Sequence, residues 1–291
     1  MPSLRQLRVF ASLARHGNLG DTAQEVCLSK GAVSQSLGEL ERRLGTPLFD
    51  RVHPHLKINE QGRLLQPLAK EIVDRVENIR HLFDGGGAHV GHLKIGASQT
   101  IGNYLLPSLL ARMQQTDIAV EIQNTYDLCE MVGHFELDLA LIEGANHRED
   151  LVSSAWLDDE MLVVAAPHHP LAQAGPITPE HLAECDWIVR EKHSGSREQF
   201  DTELAPLVAP KGRLLVLNAL EAVLSAAENN LGLTFVSRLA VRQRLASGQL
   251  VKLDLGRRYT RRLSLVWHKK KFHNALMRSF IDQLRRLEMQ E

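Results

Sequence analysis

The sequence is poor in cysteine and has no long apolar run. Three cysteines, Cys27, Cys129 and Cys185, occur in 291 residues, and none belongs to a CxxC pair. This spacing excludes a zinc ribbon or a disulfide framework and is typical of a reducing compartment. No stretch of about 20 apolar residues could span a membrane, and the arginine-interrupted N-terminus lacks the apolar core of a signal peptide. We therefore expect a cytoplasmic protein with cysteines packed inside, a redox-sensing thiol being the alternative.

The chain also lacks an excess of either charge. It has 34 basic and 35 acidic residues, a formal net charge of −1, which excludes an overall basic coat, so any contact with DNA must be local. Residues 1–65 carry nine basic and six acidic residues, an excess of three positive charges. The length predicts two or three domains, and the 44% of apolar residues suffices for their cores.

Catalytic signatures are missing as well. The sequence contains no GxSxG, P-loop, GxGxxG or HExxH segment, so an enzyme with a regulatory N-terminal domain is disfavoured. His168 and His169 precede Pro170, where a turn is a simpler interpretation than a metal site. We expect a protein that is not an enzyme and has no metal site or cofactor.

What is present begins with three predicted helices and a hairpin. Apolar residues recur at helical spacing over residues 4–16 and over 31–44, and a short helix ending at Val26 lies between them. Residues 50–58 form the predicted hairpin. Ala23 is a small residue where two helices would cross, and the apolar anchors are Val26, Leu28, Val33 and Leu37. This pattern predicts a winged helix-turn-helix over residues 1–58.

The start of the third helix carries the side chains expected to contact DNA. Short polar and basic groups there reach base edges and phosphates in the major groove, and the hairpin reaches the backbone or the minor groove. The predicted DNA-binding residues are Ser29, Lys30, Ser34, Gln35, Ser36, Arg51, His53 and Lys57. A small helical bundle with a polar surface is the alternative.

A long amphipathic helix is predicted over residues 59–84. Its apolar residues recur at steps of three and four, as in a two-stranded coiled coil; they are Leu65, Leu68, Ile72, Val76, Ile79 and Phe83. We expect this helix to dimerise the chain, the alternative being packing on its own domain. Pro67 predicts a kink, and three glycines begin a flexible hinge over residues 85–91.

Residues 92–291 alternate between predicted strands and helices, which indicates a parallel-rich sheet with helices on both faces. The predicted helices include 101–115, 128–135 and 271–289, and the strands include 92–98, 161–166 and 263–268. This pattern leaves open whether the region is one sheet or two lobes.

Polar side chains gather where the predicted strands end, as in α/β ligand clefts. Hydroxyls and backbone N–H groups at the start of a helix suit an anion, and an arginine could add a bidentate clamp. The candidate ligand-binding residues are Ser98, Gln99, Thr100, Asn124, Glu143, His168, Arg190, Ser194, Ser196, Arg197 and Asn218.

Each candidate has a plainer interpretation. The hydroxyls of Ser98 and Ser196 could only cap helices, and Arg197 could form an ion pair on the surface. Glu143 suits an anionic ligand only if it binds a hydroxyl or an amine of that ligand.

Four segments, residues 4–10, 23–34, 40–51 and 58–62, together resemble the LysR-type transcriptional regulators. The resemblance covers essentially the whole chain. It departs from the family at Gly31, where proline is usual, at the histidines of the hairpin, and at Gln35, where a basic residue is frequent. These departures concern the operator sequence and the affinity rather than the class of protein.

The resemblance implies an α+β multidomain fold. Residues 1–58 would be the winged helix-turn-helix, 59–84 the linker helix, 85–91 a hinge, and 92–291 an effector-binding domain. That domain would be two-lobed like the type 2 periplasmic binding proteins, with lobe I at 92–161 and 267–291 and lobe II at 162–266. The effector would lie in the cleft between the lobes.

The resemblance also implies partners. It predicts a homodimer, usually paired into a tetramer, that binds double-stranded promoter DNA, with RNA polymerase as a candidate further partner. Residues 96–107 and 187–198 look most like the branch containing regulators of carbon fixation and of sulfur assimilation, whose effectors tend to be small anions. A plain solute-binding protein is disfavoured, because its helix-turn-helix would have no use.

Overall fold

A computed structural model describes residues 1–52, 55–82, 92–113, 117–174 and 177–288. The N-terminal domain consists of α1 (Leu4–His16), α2 (Leu19–Glu25), α3 (Lys30–Leu44), β1 (Phe49–Val52) and β2 (His55–Ile58). Strands β1 and β2 pair antiparallel, which gives three helices followed by a hairpin.

Local sequence signals set the limits of these helices. The hydroxyl of Ser3 accepts from the backbone of Gln6 and caps α1, and Ser29 caps α3 in the same manner. Gly17 and Gly45 end α1 and α3 with φ of 65° and 72°, a left-handed conformation that glycine adopts without a steric cost.

The core of this domain forms between α1, α3 and the hairpin. The rings of Phe10 and Phe49 meet edge to face, with 5.6 Å between centroids. A second cluster of Val9, Ala23 and Val33 lies at the crossing of α2 and α3. The small residue expected at this crossing is therefore buried there.

Helix α4 (Glu60–Leu82) follows the hairpin and continues through Pro67. One side of α4 packs on the N-terminal domain through Leu65, Ala69 and Val73. The opposite side exposes Leu64, Leu68, Ile72 and Ile79, each of them 45–55% exposed.

This arrangement corrects the predicted dimerisation seam. Leu65 belongs to the domain core and Leu64 takes its place on the exposed side. The predicted Phe83 and the glycine-rich hinge over 85–91 lie outside the described residues.

The C-terminal domain is built on one nine-stranded sheet. Its strands are β3 (His92–Ser98), β4 (Asp117–Gln123), β5 (Leu139–Ile142), β6 (Leu151–Ala165), β7 (Trp187–Arg190), β8 (Leu214–Leu217), β9 (Leu233–Ser237), β10 (Val251–Lys252) and β11 (Tyr259–His268). Its helices are α5 (Gln99–Tyr104), α6 (Leu106–Leu110), α7 (Thr125–Gly133), α8 (Pro179–Ala183), α9 (Gly195–Gln199), α10 (Ala205–Val208), α11 (Leu220–Glu228), α12 (Arg238–Ala246) and α13 (Ala275–Glu288).

The strand order is β4-β3-β5-β11-β6-β9-β7-β8, with β10 added to β6. Strands β4, β3 and β5 run parallel at one end, as do β9, β7 and β8 at the other. The long antiparallel strands β6 and β11 connect the two sets. Each set has its own hydrophobic cores, so one continuous sheet carries two lobes.

The boundary between the lobes differs from the predicted one. Leu263 and Leu265 of β11 lie in the core of the first lobe, whereas Met161 of β6 lies in a core of the second. The crossing therefore falls between 157 and 161 on β6 and between 259 and 263 on β11, rather than at residues 161 and 266.

Two predicted elements are also corrected. The helix expected over 101–115 is divided into α5 and α6 around Leu105, because Pro107 has no N–H with which to continue the first helix. The strand expected over 161–166 is the end of the fifteen-residue β6. Within the described ranges, no helix is both long enough and apolar enough to cross a membrane.

Candidate DNA-binding surface and effector site

Helix α3 combines a buried face with an exposed polar edge. Val33, Leu37 and Leu40 are buried in the N-terminal domain. On the other side, the predicted DNA-binding residues Ser29, Lys30, Ser34 and Gln35 are exposed. Lys57 is exposed on β2. The first turn of α3 is therefore free to approach a partner.

The structure does not favour every residue of the predicted surface. The hydroxyl oxygen of Ser36 is buried and has no hydrogen-bond partner among the described residues, so Ser36 is not oriented for a DNA contact. The amide of Gln35 donates to Glu39 at 3.3 Å. The side chain of Arg51 and all of His53 lie outside the described residues.

In the C-terminal domain, residues from several strand ends meet at the carboxylate of Glu143, directly after β5. The backbone N–H of Thr100 donates to Oε1 at 2.7 Å, and the hydroxyl of Ser196 donates to Oε2 at 3.2 Å. Ser98 is buried with them. Thus four predicted residues come together, and the expected anion position at Thr100 is filled by a carboxylate of the chain itself.

Arg261 is the central residue that sequence reasoning missed. Its Nη1 lies 2.8 Å from Glu143 and 3.0 Å from the hydroxyl of Ser196, and its Nε donates to Asp159 at 2.8 Å. Ser237 donates to the same Asp159 at 2.8 Å. We call Thr100, Glu143, Asp159, Ser196 and Arg261 the cleft cluster; it lies where β6 and β11 cross between the lobes.

A signal for Arg261 exists in the sequence. Along β11, Tyr259, Arg261 and Leu263 are buried and alternate with exposed residues. An arginine on the inward side of an alternating strand indicates a buried carboxylate partner.

Two carboxylates share one guanidinium in this cluster. Burial alone would raise the pKa of Glu143, but the Arg261 guanidinium and hydrogen bonds hold that pKa below its usual range. Burial raises the pKa of Asp159, and the Arg261 charge offsets this only partly. With both carboxylates ionised, the cluster carries a net charge of −1.

Gln99 connects the two lobes beside this cluster. Its Nε2 donates to the carbonyl of Asn218 at 3.1 Å, and its Oε1 accepts from the N–H of Leu220 at 2.6 Å. Gly144 and Gly195 also meet across the cleft, because a Cβ added to Gly195 would lie 2.5 Å from the Gly144 nitrogen. The lobes are therefore in direct contact.

The two expected arginine clamps are engaged elsewhere. Arg190 forms a bidentate pair with Glu191 at 2.8 and 2.9 Å. Arg197 pairs with Asp201 at 2.8 Å and donates to the carbonyl of Arg190. The ion pair considered for Arg197 is thus present, but it is not a surface pair on both sides, because the Arg197 side chain is only 10% exposed.

Three other predicted residues have separate positions. Asn124 accepts from the N–H of Asp127 and caps α7. The carbonyl of the buried Ser194 accepts from the N–H of Glu198 at the start of α9. His168 is exposed beyond the end of β6 that pairs with the start of β9, whereas the cleft cluster lies at the other end of that pairing, so the structure does not bring His168 to the cluster.

The three cysteines differ in environment. Burial raises the pKa of the Cys129 thiol to about 11 and also raises the pKa of Cys185, which disfavours the reactive thiolate. Cys27 is exposed in the turn before α3, with φ of 54°. The expectation of buried cysteines therefore fails at Cys27.

A DNA-binding N-terminal domain joined to a two-lobed domain with a polar cleft defines a ligand-responsive transcription regulator. Residues 4–63 match the family described as bacterial regulatory helix-turn-helix protein, lysR family, and residues 86–288 match the LysR substrate binding domain. The chain belongs to the LysR family of transcriptional regulators, which are DNA-binding proteins with an effector-binding domain and not enzymes.

Its relatives are regulators along nearly their whole length. The chain is 37% identical over 285 residues to the uncharacterized HTH-type transcriptional regulator YeiE of Escherichia coli strain K12, covering 96% of each chain. It is 32% identical over 261 residues to the RuBisCO operon transcriptional regulator of Allochromatium vinosum, covering 87% of this chain and 85% of that relative. It is 31% identical over 254 residues to CysL of Bacillus subtilis, covering 86% and 85%.

Solved structures share the fold. ArgP of Mycobacterium tuberculosis superposes with a TM-score of 0.80 at 15% identity, covering 97% of this chain and 96% of that one. The regulatory domain of Synechocystis PCC6803 CcmR in complex with 2-PG superposes with a TM-score of 0.62 at 24% identity, covering 68% of this chain and 98% of that one.

Proposed function

We propose that the chain reads a promoter through the exposed first turn of α3. The observation that carries this proposal is the polar edge of Ser29, Lys30, Ser34 and Gln35 on a helix whose other side is anchored in the core. In a winged helix-turn-helix, this edge enters the major groove. Lys57 on the hairpin contacts a phosphate, which sets the position of the domain without reading sequence.

A gel-shift titration of the full chain tests this proposal. The duplex carries the region upstream of the chain's own gene, and a random duplex of equal length is the competitor. Lys30→Ala weakens binding to the upstream duplex, whereas Lys211→Ala, on the second lobe, leaves it unchanged. Equal affinity of the wild-type chain for both duplexes contradicts the proposal.

The protein acts as a homodimer through α4, and as a tetramer when two dimers pair. An exposed apolar stripe on α4 supports this, because apolar side chains on one side of a helix are stabilised when a second copy buries them. The stripe consists of Leu64, Leu68, Ile72 and Ile79. Two copies of α3 on one dimer match half-sites one DNA turn apart or a multiple of it. Action in the cytoplasm and contact with RNA polymerase belong to the same proposal.

The effector of this proposal is a small anion that also carries a hydroxyl or another hydrogen-bond donor. Glu143 and Asp159 already share the Arg261 guanidinium, so an anion can join the cluster only if it also has a proton to donate to a carboxylate. A hydroxyl donating to Glu143 meets this condition. The CcmR regulatory domain, which has the same fold, binds 2-PG, and this supports a small-molecule effector in such a domain.

A thermal-shift screen of the full chain with small oxyanions, each with and without a hydroxyl, tests the effector class. A specific ligand at 100 times its dissociation constant adds about 2.7 kcal/mol of stability. Ser196→Ala reduces this shift, and the exposed Ser247→Ala does not. A shift that survives Ser196→Ala in full places the effector outside the cleft cluster. Binding regulates DNA affinity only through different affinities of the effector for two arrangements of the lobes.

A further inference from the structure

A second cavity lies between the two domains, away from the cleft between the lobes. It has a volume of about 530 Å³ and is enclosed by α1, the turn after α2, α4 and the outer end of the first lobe. Cavities of roughly 300–1,000 Å³ are the size that proteins use for small molecules. The size alone therefore permits an organic ligand rather than a single ion.

The carboxylates that line this cavity already have partners. Glu25 accepts from Ser12 at 2.5 Å and pairs with Arg15 at 2.7 Å. Asp138 pairs with Lys271 at 2.6 Å, which also lies 3.2 Å from Asp74. The charges of these carboxylates are balanced by basic side chains of the chain itself, so the cavity does not need a bound cation.

The lysines that line the cavity are in a different position. Lys70 of α4 and Lys94 of β3 both face it, and neither ammonium group has a hydrogen bond or ion pair to another described residue. Lys271 takes the nearby Asp74 and Asp138. Three ammonium groups thus stand around two carboxylates, an excess of one positive charge.

Lys70 of α4 is half-buried beside this excess of charge. Burial lowers its pKa, and the charges of Lys271 and Lys94 lower it further, against the opposing effect of Asp74 and Asp138. Withdrawing such a half-buried cation from water without a hydrogen-bond partner is costly. An anion beside Lys70 would restore the balance.

The remaining wall of the cavity is partly apolar. Ala11 of α1, Val26, Val73 of α4 and Phe135 line it. A ligand that fits this wall has a hydrocarbon or aromatic part in addition to its charge.

We propose that the cavity between the N-terminal domain, α4 and the first lobe is a second ligand site, which takes a small organic anion, a carboxylate or phosphate ester, with its charged group on Lys70 and Lys94. Arg15 lines the same cavity, where its charge is already paired with Glu25, so the proposal rests on the two lysines. Because the ligand touches both domains, it stabilises their present arrangement and thereby changes DNA affinity independently of the cleft.

Calorimetric titration of the full chain with phenyl phosphate, an aromatic dianion, tests this site. The variants are Lys70→Met, the matched control Lys211→Met, and Ser196→Ala in the cleft cluster. Saturable binding with a loss of roughly tenfold or more in Lys70→Met is expected, since one charge-assisted contact is removed. The two other variants bind as the wild-type chain does.

Several results would overturn the proposal. The first is that no saturable binding is found at millimolar phenyl phosphate. The second is that Lys70→Met binds phenyl phosphate with the affinity of the wild-type chain. The third is that Ser196→Ala binds it more weakly, which would place the ligand in the cleft. Thermal unfolding in buffer without phosphate gives a second measurement. Lys70→Met raises Tm there because it removes a half-buried cation that has no hydrogen-bond partner among the described residues, whereas a lysine with a structural role would lower Tm on replacement.

Discussion

At the scale of single residues, the cleft is governed by the competition of two carboxylates for Arg261. Glu143 accepts from Thr100, Ser196 and Arg261. Because its pKa in the folded chain is lowered, ionised Glu143 stabilises the fold at neutral pH, and that contribution is lost on acidification below about pH 4. Asp159, whose pKa is raised, acts in the opposite sense, since its protonation relieves a cost.

Glu143→Gln tests this balance. We expect a loss of about 2 kcal/mol in the free energy of unfolding at neutral pH, from weakened charged hydrogen bonds. The difference from the wild-type chain should shrink on acidification, because the variant lacks the acid-sensitive group. Urea unfolding at about pH 7 and about pH 3 measures both, with the exposed Glu149→Gln as control. A difference that is the same at both pH values would contradict the role given to Glu143.

At the scale of elements, α4 serves two surfaces at once. Its inner side completes the core of the N-terminal domain through Leu65 and Ala69, while its outer side exposes Leu68 and Ile72. The same helix also contacts the regulatory domain, because Arg75 lies 4.3 Å over the ring of Phe272. A change in the lobes can therefore reach α3 through a helix that contacts both domains.

Leu68→Glu tests the outer side of α4. A charge in an apolar seam opposes its burial against a second copy, so we expect a monomer by light scattering and weaker binding to the promoter duplex. Leu207→Glu is the control, since Leu207 is exposed to a similar degree, 48% against 53%, on the second lobe. A Leu68→Glu chain with wild-type mass in solution would rule out this seam.

At the scale of the whole molecule, the contact of the two lobes at Gly144 and Gly195 limits their movement. A methyl group on Gly195 cannot be accommodated without separating them. We expect Gly195→Ala to open the cleft, which lowers Tm and weakens any effector that bridges the lobes. Gly38→Ala is the control, because nothing lies within 4 Å of its added Cβ and the helical site gains stability. If Gly195→Ala leaves Tm and the effector affinity unchanged, the contact between Gly144 and Gly195 does not limit the movement of the lobes.

DNA binding is also a property of the whole assembly. A dimer presents two copies of Lys57, so Lys57→Ala should reduce the slope of log affinity against log salt by about two. The affinity falls equally for promoter and random duplexes, since a phosphate contact carries no sequence information. Fluorescence anisotropy over a salt series measures the slope, and a selective loss on the promoter would instead assign Lys57 to base reading.

The sequence by itself determined the elements whose signals are local. Caps such as Ser29, terminal glycines such as Gly45 and the helical spacing of apolar residues predicted α1 and α3, because these features act within one or two turns of chain. The family followed from four contiguous segments in the same way.

Tertiary structure alone decided what depends on distant partners. The apolar periodicity of α4 is compatible with either Leu64 or Leu65 on its exposed side. The core of the N-terminal domain decides between them, because Leu65 packs on that core and Leu64 is exposed. Arg261 lies 118 residues from Glu143 in sequence, and no local pattern shows that Glu143 fills the anion position at Thr100. A buried ion pair is set by the crossing of strands, and that crossing exists only in the folded chain.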